Sequence, residues 1–60
     1  MKIGSSVKLR AYGNEIIERR IVSIDGDVIA VSTEDEYRKA QFEGREPLAV
    51  GFRRECVVES

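Results

Sequence analysis

The side chains able to do chemistry in this sequence are few, and most lack the partner their chemistry needs. Cys56 is the one thiol and the chain has no histidine, so a cysteine nucleophile has no imidazole to act as its base. Beside Val57 and Val58, Cys56 reads as a buried, inert side chain. Ser5-Ser6 has no base partner either and reads as a pair in a turn or at the start of a strand. One thiol without imidazole cannot build a zinc site. Glu34-Asp35-Glu36 is dense in carboxylates, but three successive helical positions point in different directions. Helix capping and the helix dipole account for them without a cation. No glycine-rich loop precedes the helix as a phosphate cradle requires. No catalytic residue, metal or cofactor is therefore expected.

Two sets of residues remain as contact candidates. Lys8, Arg10, Arg19, Arg20, Arg53 and Arg54 are the bases that could converge on phosphates, with Tyr12 adding a stacking surface. Against this stands the charge balance: ten bases face eleven acids, a net charge of -1. Glu15, Glu18 and Glu55 lie close enough in sequence to leave the same bases as an ordinary solvated surface. The second set is aromatic. At roughly 100° per residue, Phe42 lies about 140° around a helix from Tyr37, so the two rings cannot share a face. If Tyr37 packs on a sheet, Phe42 either meets a partner or folds back onto Leu48 or Val50.

The scaffold that must hold these residues is small. Sixty residues, 42% of them hydrophobic, allow one domain over residues 1–60. Such a chain hides only about 60% of its unfolded surface, and a single cysteine leaves it without an internal disulfide. Its stability must come from close packing or from burial against a partner. No apolar run approaches the ~20 residues a membrane span needs. Met1-Lys2-Ile3-Gly4 does not open a secretory signal, and a lone thiol suits a reducing compartment, so a cytoplasmic location is expected. Charge is mildly uneven, slightly basic over residues 1–31 and slightly acidic over 32–46.

Periodicity places the elements. Ser6 to Tyr12 alternates, with Val7, Leu9 and Ala11 on one face, which predicts a half-buried strand. Gly13-Asn14 marks a turn. From Glu15 to Ile24 the apolar pattern changes phase: Ile17 and Ile21 share one face, Val22 and Ile24 the other. Either a long strand with a bulge near Glu18–Arg20 or a long loop before a shorter strand would reconcile them. Asp25-Gly26 between Val22-Ser23-Ile24 and Val28-Ile29-Ala30-Val31 predicts a tight hairpin. Val28–Val31 is apolar on both faces, so something outside the sheet should cover it. Thr33 and Glu36 have the spacing of a capping box, Glu34–Arg38 and Asp35–Lys39 are i,i+4 pairs, and Gly44 suits the residue after a helix. A helix is expected from about Glu34 to Glu43, with Tyr37, Ala40 and Gln41 as its narrow inward stripe. Leu48, Val50 and Phe52 alternate as a fourth strand, and Cys56-Val57-Val58 forms a short fifth.

Two stretches carry a resemblance. Gly51-Phe52-Arg53-Arg54-Glu55-Cys56-Val57-Val58 resembles the close of SH3-like barrels, where a strand ends at an aromatic residue, one tight turn follows and a short strand closes the barrel. Val22 to Val31 looks like the central hairpin of SH3-like and Tudor-like domains. The resemblance implies a mainly β fold, a small five-stranded SH3-like barrel; the short helix expected between the third and fourth strands departs from the simplest version of that fold. It brings over no binding residue: Gly13-Asn14-Glu15-Ile16-Ile17-Glu18 stands where peptide-binding SH3 domains are rich in aromatics, and too few rings are present for a Tudor-like cage. The expected function is a small non-enzymatic interaction module or accessory subunit acting through protein contacts, with Phe42 and Tyr37 as contact candidates. Its partner is another protein or a second copy in a weak homo-oligomer, with no membrane partner. The alternative is a nucleic-acid-binding barrel using the Lys/Arg set and Tyr12.

Overall fold

The computed structural model describes residues 2–59. Five antiparallel strands form one sheet: β1 (Ser6–Arg10), β2 (Ile16–Asp25), β3 (Val28–Ser32), β4 (Val50–Arg53) and β5 (Val57–Glu59), in the order β4-β3-β2-β1-β5. The sheet curls into a half-barrel, and one helix, α1 (Glu34–Glu43), joins β3 to β4. A 3-10 turn at Arg54–Cys56 joins the two edge strands, which do not pair with each other among the described residues.

Alternation decides which side chains face inward. Val7 and Leu9 of β1, Ile21 of β2, and Ile29 and Val31 of β3 are buried together on the concave face. Ile17, Ile24, Phe52, Cys56 and Val57 pack around them, half-buried. Cys56 thus sits at the edge of the core with a free thiol. Each fully buried aliphatic contributes roughly 1.5–3 kcal/mol, so these five side chains supply much of what holds so short a chain together.

The phase change in β2 is resolved within one long strand, at a different place from the one expected. β2 pairs with β1 in unbroken register, Leu9 opposite Ile17 and Val7 opposite Arg19. The irregularity falls between Ile21 and Ser23, where β2 pairs with β3. A bulge at Val22 returns Ile24 to the concave face with Ile21. Moving the bulge past Arg20 keeps Arg19 in phase with Ile17 and Ile21, on the concave side.

The helix forms as its local signals require. Thr33 Oγ1 accepts from the Glu36 amide at 3.1 Å. Gly44 is left-handed at φ 70° and ψ 30°; its amide donates to the Gln41 carbonyl and that of Arg45 to the Ala40 carbonyl. This pair of bonds is the Schellman closure. The Glu34–Arg38 pair is present at 2.9 Å, whereas Asp35 makes no ion pair among the described residues and the last turn carries no base. The helix lies on the convex face, over the side of β2 and β3 that bears Arg20 and Ser32. Ala40 is fully buried there, Tyr37 is half-buried, and Gln41 is exposed. The cover is partial: Val28, at the far end of β3, remains 46% exposed.

Three other boundaries shift. β1 ends at Arg10, and Tyr12 joins Gly13-Asn14 in a 3-10 turn with both Gly13 and Asn14 at positive φ. β4 begins at Val50, leaving Leu48 in the loop before it. Cys56 belongs to the 3-10 turn, and β5 starts at Val57.

Candidate functional site

The concave face is filled at the β5 side and open at the β4 side. Ile17 and Arg19 of β2, Val31 of β3 and Val50 and Phe52 of β4 line a groove of about 400 Å³. Ser32, Thr33 and Glu36 at the start of α1, together with Leu48, form its wall. Val50 is 65% and Leu48 78% exposed, although both are in phase with the half-buried Phe52. They are core-facing side chains with no core over them.

What holds the wall in place is Glu36. The capping-box spacing predicts that its carboxylate turns back to the Thr33 amide. Instead it accepts from Arg45 Nη1 at 2.6 Å and from the Leu48 amide at 2.9 Å. These contacts draw the 45–48 loop against α1 and so fix where β4 begins. The Arg45 guanidinium and the Leu48 amide lower the Glu36 pKa to about 2. Arg45 is held charged in turn by Glu36 and then by Glu43, whose carboxylate lies 2.6 Å from its Nε.

The base candidates are dispersed. Arg19 and Arg20 point to opposite faces of β2: Arg19 enters the groove, and Arg20 is clamped under α1. Arg20 Nε donates to Glu34 Oε1 at 2.8 Å, a second guanidinium nitrogen donates to the Gly4 carbonyl, and the Tyr37 ring lies 5.0 Å away. The Glu34 hydrogen bonds raise the Arg20 pKa, and Arg20 lowers that of Glu34. Lys8 and Arg10 are exposed on β1, with Lys8 opposite Glu18. Arg53 and Arg54 share a polar hollow of about 320 Å³ with Asp27 and Glu55. Tyr12 is fully exposed in its turn. The fold therefore separates Arg19 from Arg20 and leaves acids beside Lys8, Arg53 and Arg54.

Of the aromatic candidates, Tyr37 is structural in its surroundings: it stacks over Arg20, and its hydroxyl lies against Gly4 closely enough that a Cβ there would meet it at 3.3 Å. Phe42 is 93% exposed. The alternative in which it folds back onto Leu48 or Val50 is not the one adopted. Sequence reasoning placed Leu48, Val50 and Phe52 together in a strand, but did not see that all three border an opening. The available signal was Arg19, a charge in phase with Ile17 and Ile21, which is tolerated on a concave face only where that face meets solvent.

No protein-family model, curated protein or solved structure matches the chain. No described helix is long and apolar enough to cross a membrane, and no described group of His, Cys, Asp or Glu could hold a metal ion.

Proposed function

We propose that this chain is a non-enzymatic interaction module built on an SH3-like half-barrel, and that its open groove receives apolar side chains of a protein partner. The observation that carries the reading is the exposure of Val50 and Leu48 beside half-buried Phe52 on the concave face. Covering such side chains is worth roughly 1.5–3 kcal/mol each when burial is complete. Exposed apolar surface bordered by polar residues is a common mark of a contact site. Arg19, with no ion-pair partner among the described residues, adds a charged donor at the groove, so an apolar segment carrying a carboxylate fits best. The strand order, and the single tight turn between β4 and β5, support the SH3-like reading of the fold.

The test is selection of displayed random peptides on the wild-type chain, followed by titration of the winners. Peptides rich in apolar residues with one acid should emerge, lose binding to Val50→Asp, and bind Arg19→Ala several-fold more weakly. Failure to select any peptide at a concentration where the chain is monomeric, or winners that bind Val50→Asp as well as wild type, would overturn the groove as the contact site.

A further inference from the structure

The strand that borders the groove is also an edge of the sheet, since among the described residues β4 pairs with β3 alone. Its hydrogen-bonding phase follows from the ladder. The Arg54 amide donates to the Asp27 carbonyl at 2.7 Å, and two steps along the same register lies the pair Phe52–Ile29, then Val50–Val31. In an antiparallel ladder these alternate positions turn their backbone groups toward the neighbour. Gly51 and Arg53 therefore turn theirs outward; Ala49, in the loop before β4, falls in the same phase by sequence alone. Of the two same-phase positions in the loop just before β4, Ala49 carries an amide hydrogen and Pro47 does not. An edge with free donors and acceptors is a template for another strand.

The sequence of this edge, taken with the loop before it and the start of the 3-10 turn after it, is complementary to itself. Written antiparallel about Val50, Arg45 to Glu55 sets Leu48 against Phe52, Ala49 against Gly51, Glu46 against Arg54 and Arg45 against Glu55. Both inner pairs are small or apolar, and both outer pairs are opposite in charge. Gly51 and Ala49 would form the first hydrogen-bonded pair, and the Arg53 amide would meet the Pro47 carbonyl, which needs no donor from proline. The neighbouring in-phase registers lose this match. Centred on Gly51, Arg54 meets Leu48 and Arg53 meets Ala49; centred on Ala49, Arg53 meets Arg45. Glu46 and Arg54 are exposed and have no ion-pair partner among the described residues, so both are available. Arg45 is already engaged by Glu36 and Glu43 and adds less.

We propose that the groove's partner is a second copy of this chain: β4 (Val50–Arg53) of each copy pairs antiparallel with residues 47–49 of the other, which extend on contact, about a two-fold axis at Val50. This rests on the groove being the contact site, and it names the occupant. Leu48, Val50 and Phe52 all border the groove, so the same pairing that joins the edges sets the exposed aliphatics of one copy against those of the other. The two half-barrels become one continuous sheet, and their open concave ends adjoin. A net charge of -1 per chain opposes this association only slightly.

The register makes the test specific. Sedimentation equilibrium of the full chain should show a concentration-dependent dimer. Glu46→Arg sets arginine against Arg54 at both ends of the interface, and Arg54→Glu sets glutamate against Glu46. Each variant alone should dimerise at least tenfold more weakly, with circular dichroism confirming that it stays folded. An equimolar mixture of the two, or the double variant Glu46→Arg/Arg54→Glu, should recover wild-type dimerisation, because every end pair is again opposite in charge. Two singles that dimerise like wild type, or a mixture that stays monomeric, would overturn the register and with it the proposal. A wild-type chain that remains monomeric but binds selected peptides through Val50 would refute the second copy and leave the groove standing.

Discussion

Ile29 and Val50 are both aliphatics on the concave face, two strand positions apart in the ladder, yet they should answer truncation very differently. Ile29 is fully buried, whereas Val50 keeps 65% of its surface in water. Replacing a buried isoleucine by alanine costs roughly 2–5 kcal/mol through lost transfer energy and the cavity left behind. At about 0.05–0.15 kcal/mol per residue, a domain of this size has a total stability of only about 3–9 kcal/mol. Ile29→Ala should therefore remove a large share of that stability, and all of it where the wild type lies at the low end of the range. Val50→Ser removes only the third or so of a valine's burial that is realised, worth about 0.5–1 kcal/mol on the same scale. With a shift of about 4–8 °C per kcal/mol for a small domain, its melting temperature should fall by a few degrees. Urea denaturation followed by circular dichroism measures both. The work should be done at low micromolar concentration, where association adds nothing to the wild-type value, and repeated at higher concentration. At high concentration the Val50→Ser deficit should grow, because only the wild type gains from self-pairing. If Val50→Ser costs as much as Ile29→Ala in dilute solution, Val50 is buried within the monomer and the groove does not exist.

Four further outcomes follow from the same geometry. Thr33→Ala removes the oxygen that accepts the Glu36 amide and should cost about 1 kcal/mol by denaturant titration; no change would mean the cap bond is not formed in solution. The folded Glu36 pKa of about 2 lies below its ordinary 4.5, so its contribution is complete above the ordinary value and fades as pH falls from 4.5 toward 2; wild type should lose stability across that window more steeply than Glu36→Gln, and parallel curves would show that the Arg45 and Leu48 contacts are not made. Phe42→Ser, at a 93% exposed ring, should shift the melting temperature by no more than a degree or two, whereas unfolding would place the ring in the core. With Arg19 and Arg20 on opposite faces and acids beside Lys8, Arg53 and Arg54, no duplex DNA or RNA binding is expected at physiological salt; amide shifts at Arg53 and Arg54 on titration with RNA under those conditions would revive the nucleic-acid alternative.

The features written into short stretches were legible from sequence. Thr33, Glu34–Arg38 and Gly44 each act within one or two helical turns, and the helix runs from Glu34 to Glu43 as they imply. The tight hairpin after Ile24 was likewise legible, although its two-residue turn is Gly26-Asp27, one residue later than Asp25-Gly26, because Asp25 pairs with Val28. The bulge was not placed correctly because local sequence permits it on either side of Arg20. What decides it is the pairing of β2 with β1, a contact between distant segments. The pairing that results leaves Arg19 on the concave face, and the fold tolerates it there because that end of the face is open. The same long-range origin hid the groove. Leu48, Val50 and Phe52 read as a strand with an inward face, and nothing in their spacing tells that Glu36 would leave its cap to hold Arg45 and Leu48.

The central claim is that the concave face is open at β4 in the isolated chain. A soluble gadolinium chelate tests it directly, by the relaxation it adds to methyl protons in a dilute, methyl-labelled sample. The Val50 and Leu48 methyls should relax strongly, while those of Leu9, Ile21 and Ile29, all fully buried, should be protected. Val50 and Leu48 methyls as protected as Ile29 at a concentration where the chain sediments as a monomer would contradict the claim.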